Sequence, residues 1–83
     1  MIHVTVHFYS YFKELAEGHT SVKQTLPAEA TVEFLLHHIF ARFPKLAPME
    51  KSMLVAVGVE YQLRNYPLHD GEEISLFPPV QGG

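Results

Sequence analysis

The last nine residues of the chain, SLFPPVQGG, are the ones best suited to chemistry. Pro78 and Pro79 favour an extended backbone without ladder hydrogen bonds, so a strand is expected to end at Phe77 and a projecting arm to follow. Gly82 and Gly83 lack a Cβ, so they can pass through a narrow channel and leave the terminal carboxylate uncrowded. Once activated, for instance by adenylation, a carboxylate can be attacked by sulfur or nitrogen. The ending therefore predicts a carrier of a C-terminal acyl group.

Six histidines raise the question of a metal site. His3 and His7 lie on one face of a predicted strand, but four residues at ~3.3 Å each separate them by about 13 Å, too far for two ligands of one zinc ion. His37 and His38 are adjacent on a predicted helix and diverge by ~100°. The chain is therefore expected to bind no metal.

The other polar residues do not suggest a catalytic group. Glu72 and Glu73 follow a predicted turn and are expected to be solvated. No glycine-rich loop opens a helix to bind a phosphate, and no serine or threonine has the context of a catalytic triad. By itself the chain is expected to catalyse nothing and to bind no cofactor.

Length and composition limit the classes of protein to which the chain can belong. Its 83 residues suffice for one small core, and its formal net charge is −3. The six basic side chains are scattered and do not form the stripe expected of a nucleic-acid binder. Cysteine is absent, which favours a reducing compartment, and no segment resembles a signal peptide or a membrane span. The sequence thus predicts a cytoplasmic domain that binds neither nucleic acid nor membranes.

The elements that must position the tail are predicted from hydrophobic periodicity. Alternation of apolar and polar residues indicates strands, and the continuous apolar run MLVAV is typical of a strand covered on both faces or at the sheet centre. The predicted strand segments are IHVTVHF, SVKQTLP, MLVAV, the short EYQL and the final EISLF.

One long helix is predicted between the second and third strands. Thr31 can cap its N-terminus, and an apolar stripe then runs at helical spacing over residues 32–43. Pro44 prevents the helix from continuing. Phe34 points away from the stripe, and an ordinary surface aromatic or loop contact is expected there.

Three connecting segments have their own signals. SYFKELAEG predicts a short helix or a couple of turns, which Ser10 can cap and Gly18 can close. PKLAPMEKS, with two prolines, predicts a loop. Asp70 and Gly71 predict the turn that precedes the last strand.

This order of elements predicts an α+β fold. A strand pair, one long helix and further strands, with the first and last strands parallel near the middle of a mixed sheet, form the β-grasp or ubiquitin-like arrangement. Residues 1–77 are assigned to the β-grasp domain, and residues 78–83 to an extended C-terminal tail.

Three aromatic residues fall near strand ends or on the sheet face expected to lie opposite the helix. They are Tyr9, Tyr61 and Phe77. Large apolar side chains exposed there would suit a partner interface, whereas local packing at a sheet edge is an equally good alternative.

Beyond these patterns, the whole chain resembles the small subunits of molybdopterin synthase, a family of ubiquitin-like sulfur carriers. The resemblance lies in TVEFLLHHIFARFP, LVAVGVEY and PLHDGEEISLFPPVQGG. Its most specific part is Pro67-Leu68, the Asp-Gly-Glu-Glu turn, Phe77-Pro78-Pro79-Val80 and the final Gly-Gly.

The resemblance implies a two-stage role for the tail. An adenylating partner enzyme would use ATP to activate the carboxylate of Gly83, and a sulfur donor would convert it to a thiocarboxylate. The tip, Gly82-Gly83, would then enter the large subunit, which supplies the catalytic groups, and donate sulfur to a cyclic pyranopterin precursor. This chain would be the non-catalytic sulfur-donor subunit of a heterotetramer. The partner-binding residues implied are Tyr9, Tyr61, Phe77, Pro78, Pro79, Val80 and Gln81.

The chain departs from the family pattern at its aromatic positions and at one turn. Tyr9 and Tyr61 stand where phenylalanine and an aliphatic residue are common, which makes the surface more polar. Gly58 and Val59 follow the apolar run where asparagine is frequent, so the turn geometry is expected to differ. These departures bear on the fit of partners and leave the tail unchanged.

Other functions share the same sequence features. Sulfur carriers of thiamine synthesis or tRNA thiolation have the same kind of tail. A ubiquitin-like modifier would instead join Gly83 to lysines of target proteins. A β-grasp interaction module would carry the Gly-Gly ending incidentally, and its activity would survive loss of that ending.

Overall fold

The computed structural model describes residues 1–79, and the tail positions Val80, Gln81, Gly82 and Gly83 lie outside the described residues. Five strands, two α-helices and one 3-10 helix make up the described part. In chain order these are β1 (Ile2–Phe8), α1 (Phe12–Leu15), β2 (Ser21–Leu26), α2 (Val32–Arg42), the 3-10 helix (Pro44–Ser52), β3 (Leu54–Val57), β4 (Glu60–Tyr61) and β5 (Glu73–Phe77).

The strands form one mixed sheet in the order β2-β1-β5-β3-β4. The first and last strands, β1 and β5, run parallel, with Val6 opposite Ile74 and Phe8 opposite Leu76. The β1–β2, β3–β4 and β3–β5 pairs are antiparallel. This topology confirms the predicted β-grasp fold and fixes which residues share a face.

The core lies between α2 and one face of the sheet. Alternate residues of β1 and β5 are buried there, as are the stripe residues of α2, because both periodicities turn their apolar side toward the same interior. Phe8 of β1 and Phe43 after α2 meet edge to face, with ring centroids 5.6 Å apart. No polar side chain is buried within residues 1–79. The opposite face of the sheet does not pack against α2.

The apolar run MLVAV was expected either to be covered on both faces or to lie at the centre of the sheet, and it does not lie at the centre. β5, not β3, is the central strand, and β3 lies next to the short edge strand β4. β3 is covered on both faces nonetheless. Val55 and Val57 belong to the core, and Ala56, on the other face, is also buried. Burial on both faces thus explains the apolar run.

Helix α2 begins and ends as predicted. The Thr31 hydroxyl accepts the backbone N–H of Phe34 at 3.3 Å. The two preceding N–H groups of α2, of Val32 and Glu33, donate to the carbonyls of Tyr66 and Arg64 at 3.0 and 2.8 Å. These bonds satisfy N–H groups that have no partner inside the helix, so the loop after β4 is fixed against the N-terminus of α2.

Two of the predicted connections were wrong. Ser10 does not cap α1. It adopts a left-handed conformation with φ of 57°, because the chain reverses sharply after β1, and α1 starts after Tyr11 without a side-chain cap. The segment Pro44–Ser52, predicted as a loop, is a 3-10 helix. Proline at its first position suits a helical turn, and Leu46 is buried.

No helix within residues 1–79 is long and apolar enough to span a membrane.

Arg64 links three elements in a way that its sequence position did not predict. Its guanidinium Nη2 donates to the carbonyls of Glu50 and Met53, each at 2.9 Å, at the end of the 3-10 helix. Its own carbonyl accepts from Glu33 at the start of α2. One residue therefore holds the 3-10 helix, the entry to β3 and α2 together.

We expect Arg64→Ala to lower the free energy of unfolding by about 2 kcal/mol, because two charge-assisted hydrogen bonds to half-buried carbonyls are lost. Urea unfolding at neutral pH measures this change. Lys51→Ala removes a neighbouring exposed cation and serves as the control, with a change within about 0.5 kcal/mol. Equal effects of the two substitutions would contradict this role of Arg64.

Candidate functional site

The three predicted aromatic residues come together on the sheet face opposite α2. Tyr9 and Phe77 stack with ring centroids 4.7 Å apart and planes 13° from parallel. Tyr61 meets Phe77 edge to face at 6.4 Å. We call Tyr9, Tyr61 and Phe77 the aromatic cluster.

Strand register explains why residues so distant in sequence meet. The Tyr9 N–H donates to the carbonyl of Leu76 at 3.2 Å, which extends the β1–β5 ladder by one residue. In β5, Ile74 and Leu76 face the core, so Phe77 faces the other way. On the far side, Ala56 of β3 is opposite Tyr61 of β4. The cluster thus spans four neighbouring strands or their ends.

The cluster is open to solvent. Tyr61 is 68% exposed, Tyr9 is exposed and Phe77 is half-buried. Two apolar residues on either side of Tyr61, Val59 and Leu63, are also exposed. Neither was predicted as a site residue, although two aliphatic side chains beside a two-residue edge strand could have indicated an exposed apolar surface. Several exposed apolar residues in one region of the surface mark a binding surface more often than single scattered ones do.

The tail begins beside the aromatic cluster. β5 ends at Phe77, and Pro78 and Pro79, both half-buried, are the last described residues. A protein bound to the cluster would therefore lie next to the start of the tail. The predicted roles of Val80, Gln81, Gly82 and Gly83 fall outside the described residues.

Next to the cluster on the same face is a hydrogen-bonded pair of a histidine and a carboxylate. His7 Nε2 lies 2.6 Å from Glu73 Oε1. His7 is opposite Ser75 in the parallel β1–β5 register, and Glu73 is opposite Thr5, so the two side chains are diagonal neighbours. The Glu73 side chain is 66% exposed and can accept further hydrogen bonds.

Glu72 is not the solvated turn residue that was predicted. Its Oε2 accepts from the hydroxyl of Tyr66 at 2.9 Å, and its Oε1 accepts from the backbone N–H of His69 at 2.6 Å. Asp70 likewise accepts from the N–H of His3 at 2.7 Å. These bonds join the 69–72 turn to β1 and to the loop that contacts α2, so these carboxylates have a structural role.

Tyr66 should make the free energy of unfolding vary with pH in the alkaline range. The hydrogen bond to Glu72, burial, and the negative charges of Glu72 and Glu60 raise the pKa of Tyr66 above its ordinary value. A pKa raised in the folded state gives stability that is fully present below the unfolded pKa, near 10, and is lost as pH rises through the folded pKa.

We therefore expect wild type to be more stable than Tyr66→Phe at pH 7, and this difference to shrink above about pH 10. Denaturant unfolding of both proteins at several pH values measures it. Tyr11→Phe, at an exposed tyrosine on α1's N-terminal side, controls for general tyrosine ionisation. A difference that stays constant with pH would contradict the expectation.

The remaining predicted candidates are separate from this surface. Within the described part of the chain, no three His, Asp or Glu side chains group closely enough to hold a metal ion. Phe34 is 39% exposed on α2 and stacks on His38 with ring centroids 4.7 Å apart. It lies on the helix side of the sheet, away from the aromatic cluster.

Comparison with known proteins identifies the family. The model of the ThiS family matches residues 6–83, nearly the whole chain. The chain belongs to the ThiS family. A curated relative, the molybdopterin synthase sulfur carrier subunit of Escherichia coli K12, is 35% identical in an alignment of 83 positions that covers 96% of this chain and 99% of that protein.

Solved structures share the fold of this chain. SAMP1 from Haloferax volcanii superposes with a TM-score of 0.86 at 24% identity, covering 98% of this chain and 99% of SAMP1, and shares the fold. The complex of subunits 1 and 2 of molybdopterin-converting factor from Helicobacter pylori contains a chain with a TM-score of 0.71 at 25% identity, covering 99% of this chain and 100% of that one.

Proposed function

We propose that this ThiS-family chain is the sulfur-carrier subunit of a molybdopterin synthase. The observation that carries the proposal is the position of the aromatic cluster, which is exposed at the end of β5, immediately before a segment that reads Pro-Pro-Val-Gln-Gly-Gly. Near full-length similarity to a curated carrier of that name supports it.

The chemistry takes place at the carboxylate of Gly83. In the first step an oxygen of that carboxylate attacks the α-phosphorus of ATP on an adenylating partner, and pyrophosphate leaves. In the second step a sulfide-level sulfur nucleophile attacks the acyl carbon, AMP leaves and a thiocarboxylate forms. The sulfur then attacks a carbon of a cyclic pyranopterin precursor while a C–O bond at that carbon breaks and the oxygen leaves. Water cleaves the resulting thioester, which leaves the sulfur on the pterin and restores the carboxylate. The two sulfurs of the dithiolene require two such transfers. Activation is needed because a carboxylate is otherwise a poor electrophile.

The rest of the chain positions that tip. A partner that covers the aromatic cluster buries apolar surface, which stabilises the complex by ~25 cal/mol per Å². The same partner orients the tail that starts at Pro78. Because one surface adjoins the tail, the adenylating enzyme and the large subunit would use it in turn. ATP would be bound by the adenylating partner, and the large subunit would supply the groups that act on the pterin.

The test is reconstitution from separate components. The thiocarboxylated chain is mixed with the large subunit from the same organism and the cyclic pyranopterin precursor, and formation of the dithiolene is followed. Sulfur transfer to the pterin is the expected result. A thiocarboxylated chain that instead supplies sulfur for thiazole formation or tRNA thiolation would assign it to another pathway. Isopeptide adducts on lysines would identify it as a modifier.

A further inference from the structure

We infer that Glu73, held by His7, is a specificity-determining contact that receives an arginine or lysine side chain of the partner protein. The contact lies in a groove directly beside the aromatic cluster. The inference rests on the proposed function, because it requires a partner to cover this face of the sheet.

The groove is built by neighbouring strands. His7, Tyr9, Glu73 and Ser75 line it from β1 and β5, and the turn after β3 closes its other side with Gly58 and Val59. Gly58 adopts φ of 62°, and its N–H donates to the carbonyl of Glu73 at 2.9 Å, so this turn is fixed to β5. Tyr9 belongs to both the groove and the aromatic cluster, which makes the two surfaces continuous.

The charge of the groove favours a cation. None of the residues that line it is a lysine or an arginine. With the imidazole of His7 neutral, its Nε2–H donates to Glu73 Oε1, and the pair keeps a net charge of −1. Glu73 Oε2 accepts no hydrogen bond from residues 1–79, whereas both oxygens of the adjacent Glu72 already accept one. Glu73 therefore retains a charged acceptor directed at the docking face.

When a partner docks on this face, burial of Glu73 Oε2 weakens binding unless a cation pairs with that oxygen. A partner that covers the aromatic cluster also removes water from Glu73, and the loss of hydration of an unpaired carboxylate opposes binding. A guanidinium or ammonium group of the partner can bind Oε2 through a charge-assisted hydrogen bond and so replace the lost water. The groove is open and has a volume of about 560 Å³, so a side chain carried in by the partner can fill it.

His7 acts as a positioning residue in this arrangement. Its bond of 2.6 Å fixes one oxygen of Glu73, and its own side chain is only 31% exposed. Fixing the carboxylate before binding reduces the side-chain entropy lost on docking. Sulfur carriers with the same aromatic surface but another residue in place of Glu73 would fit this partner less well.

Calorimetric titration with the large subunit from the same organism tests the inference. Glu73→Gln preserves the shape and the hydrogen bond to His7 but removes the charge, and we expect roughly tenfold weaker binding. Glu73→Lys should weaken it by more than about 100-fold through like-charge repulsion. Glu33→Gln is the matched control, because it removes the same charge from α2 on the opposite side of the sheet, and its affinity should stay within about twofold of wild type.

The outcomes separate this inference from the proposed function. Loss of affinity in both Glu73 variants, with Glu33→Gln unchanged and all three proteins folded by circular dichroism, would support it. Equal affinities of Glu73→Gln and Glu33→Gln, with wild type binding normally, would overturn the inference and leave the proposed function intact. Failure of the wild-type chain to bind the large subunit would overturn both.

Discussion

Removal of Gly82 and Gly83 is expected to reduce sulfur transfer by more than 100-fold. The new terminal carboxylate, on Gln81, would reach up to about 7 Å less far, since two extended residues span at most ~3.3–3.6 Å each. Displacement of a reacting group by even 1 Å can cost ~10²-fold in rate. The free energy of unfolding should change by less than about 0.5 kcal/mol, since the described core ends at Leu76.

Two further variants distinguish the effect of where the terminal carboxylate lies from the effect of which residues form the tip. A chain extended by two glycines keeps both native glycines but moves the carboxylate outward by a similar distance, and it should also lose transfer. Gly83→Ala keeps the length and adds one Cβ, so we expect an intermediate loss if the channel is narrow. Single-turnover transfer assays and urea unfolding provide the two readouts. Normal transfer by the shortened chain would refute the role of the tip.

Phe77→Ala is expected to weaken binding of the large subunit by about 2–3 kcal/mol, or roughly 30- to 150-fold. Phe77 contacts both Tyr9 and Tyr61, so its removal takes away the centre of the aromatic cluster. Stability should fall less, by about 1–2 kcal/mol, because one stacked pair and one edge-to-face pair at the surface are lost.

Phe34→Ala is the matched control for that experiment. Phe34 is also an exposed aromatic residue stacked on a neighbour, but it lies on α2, on the other side of the sheet. Its loss should leave affinity within about twofold of wild type. If both alanine variants bind the large subunit equally well, the aromatic cluster is not the docking surface.

Local periodicity was sufficient to predict most of the secondary structure. The bounds of β1 and β2, the Thr31 cap and the end of α2 near Phe43 follow from residues close in sequence. Strand order within the sheet depends on contacts between distant segments, which is why β3 was a candidate for the central position that β5 occupies. The left-handed Ser10 depends on a chain reversal that residue type alone does not indicate.

The candidate site was predictable to a similar extent. Tyr9, Tyr61 and Phe77 could be selected because they stand near strand ends, but their stacking requires the parallel β1–β5 register. The partners of Glu72 and Arg64 come from loops whose approach only the tertiary structure defines. The same holds for the His7–Glu73 pair, whose members are 66 residues apart in sequence.

Intact-mass spectrometry of the whole chain tests the central claim most directly. The chain is incubated with the adenylating enzyme from its own organism, ATP and a sulfide donor, with a known carrier modified in parallel. We predict a mass gain that matches replacement of one oxygen by sulfur, and its disappearance when Gly83 is removed. An unchanged mass, while the known carrier is converted by the same enzyme, would contradict the account.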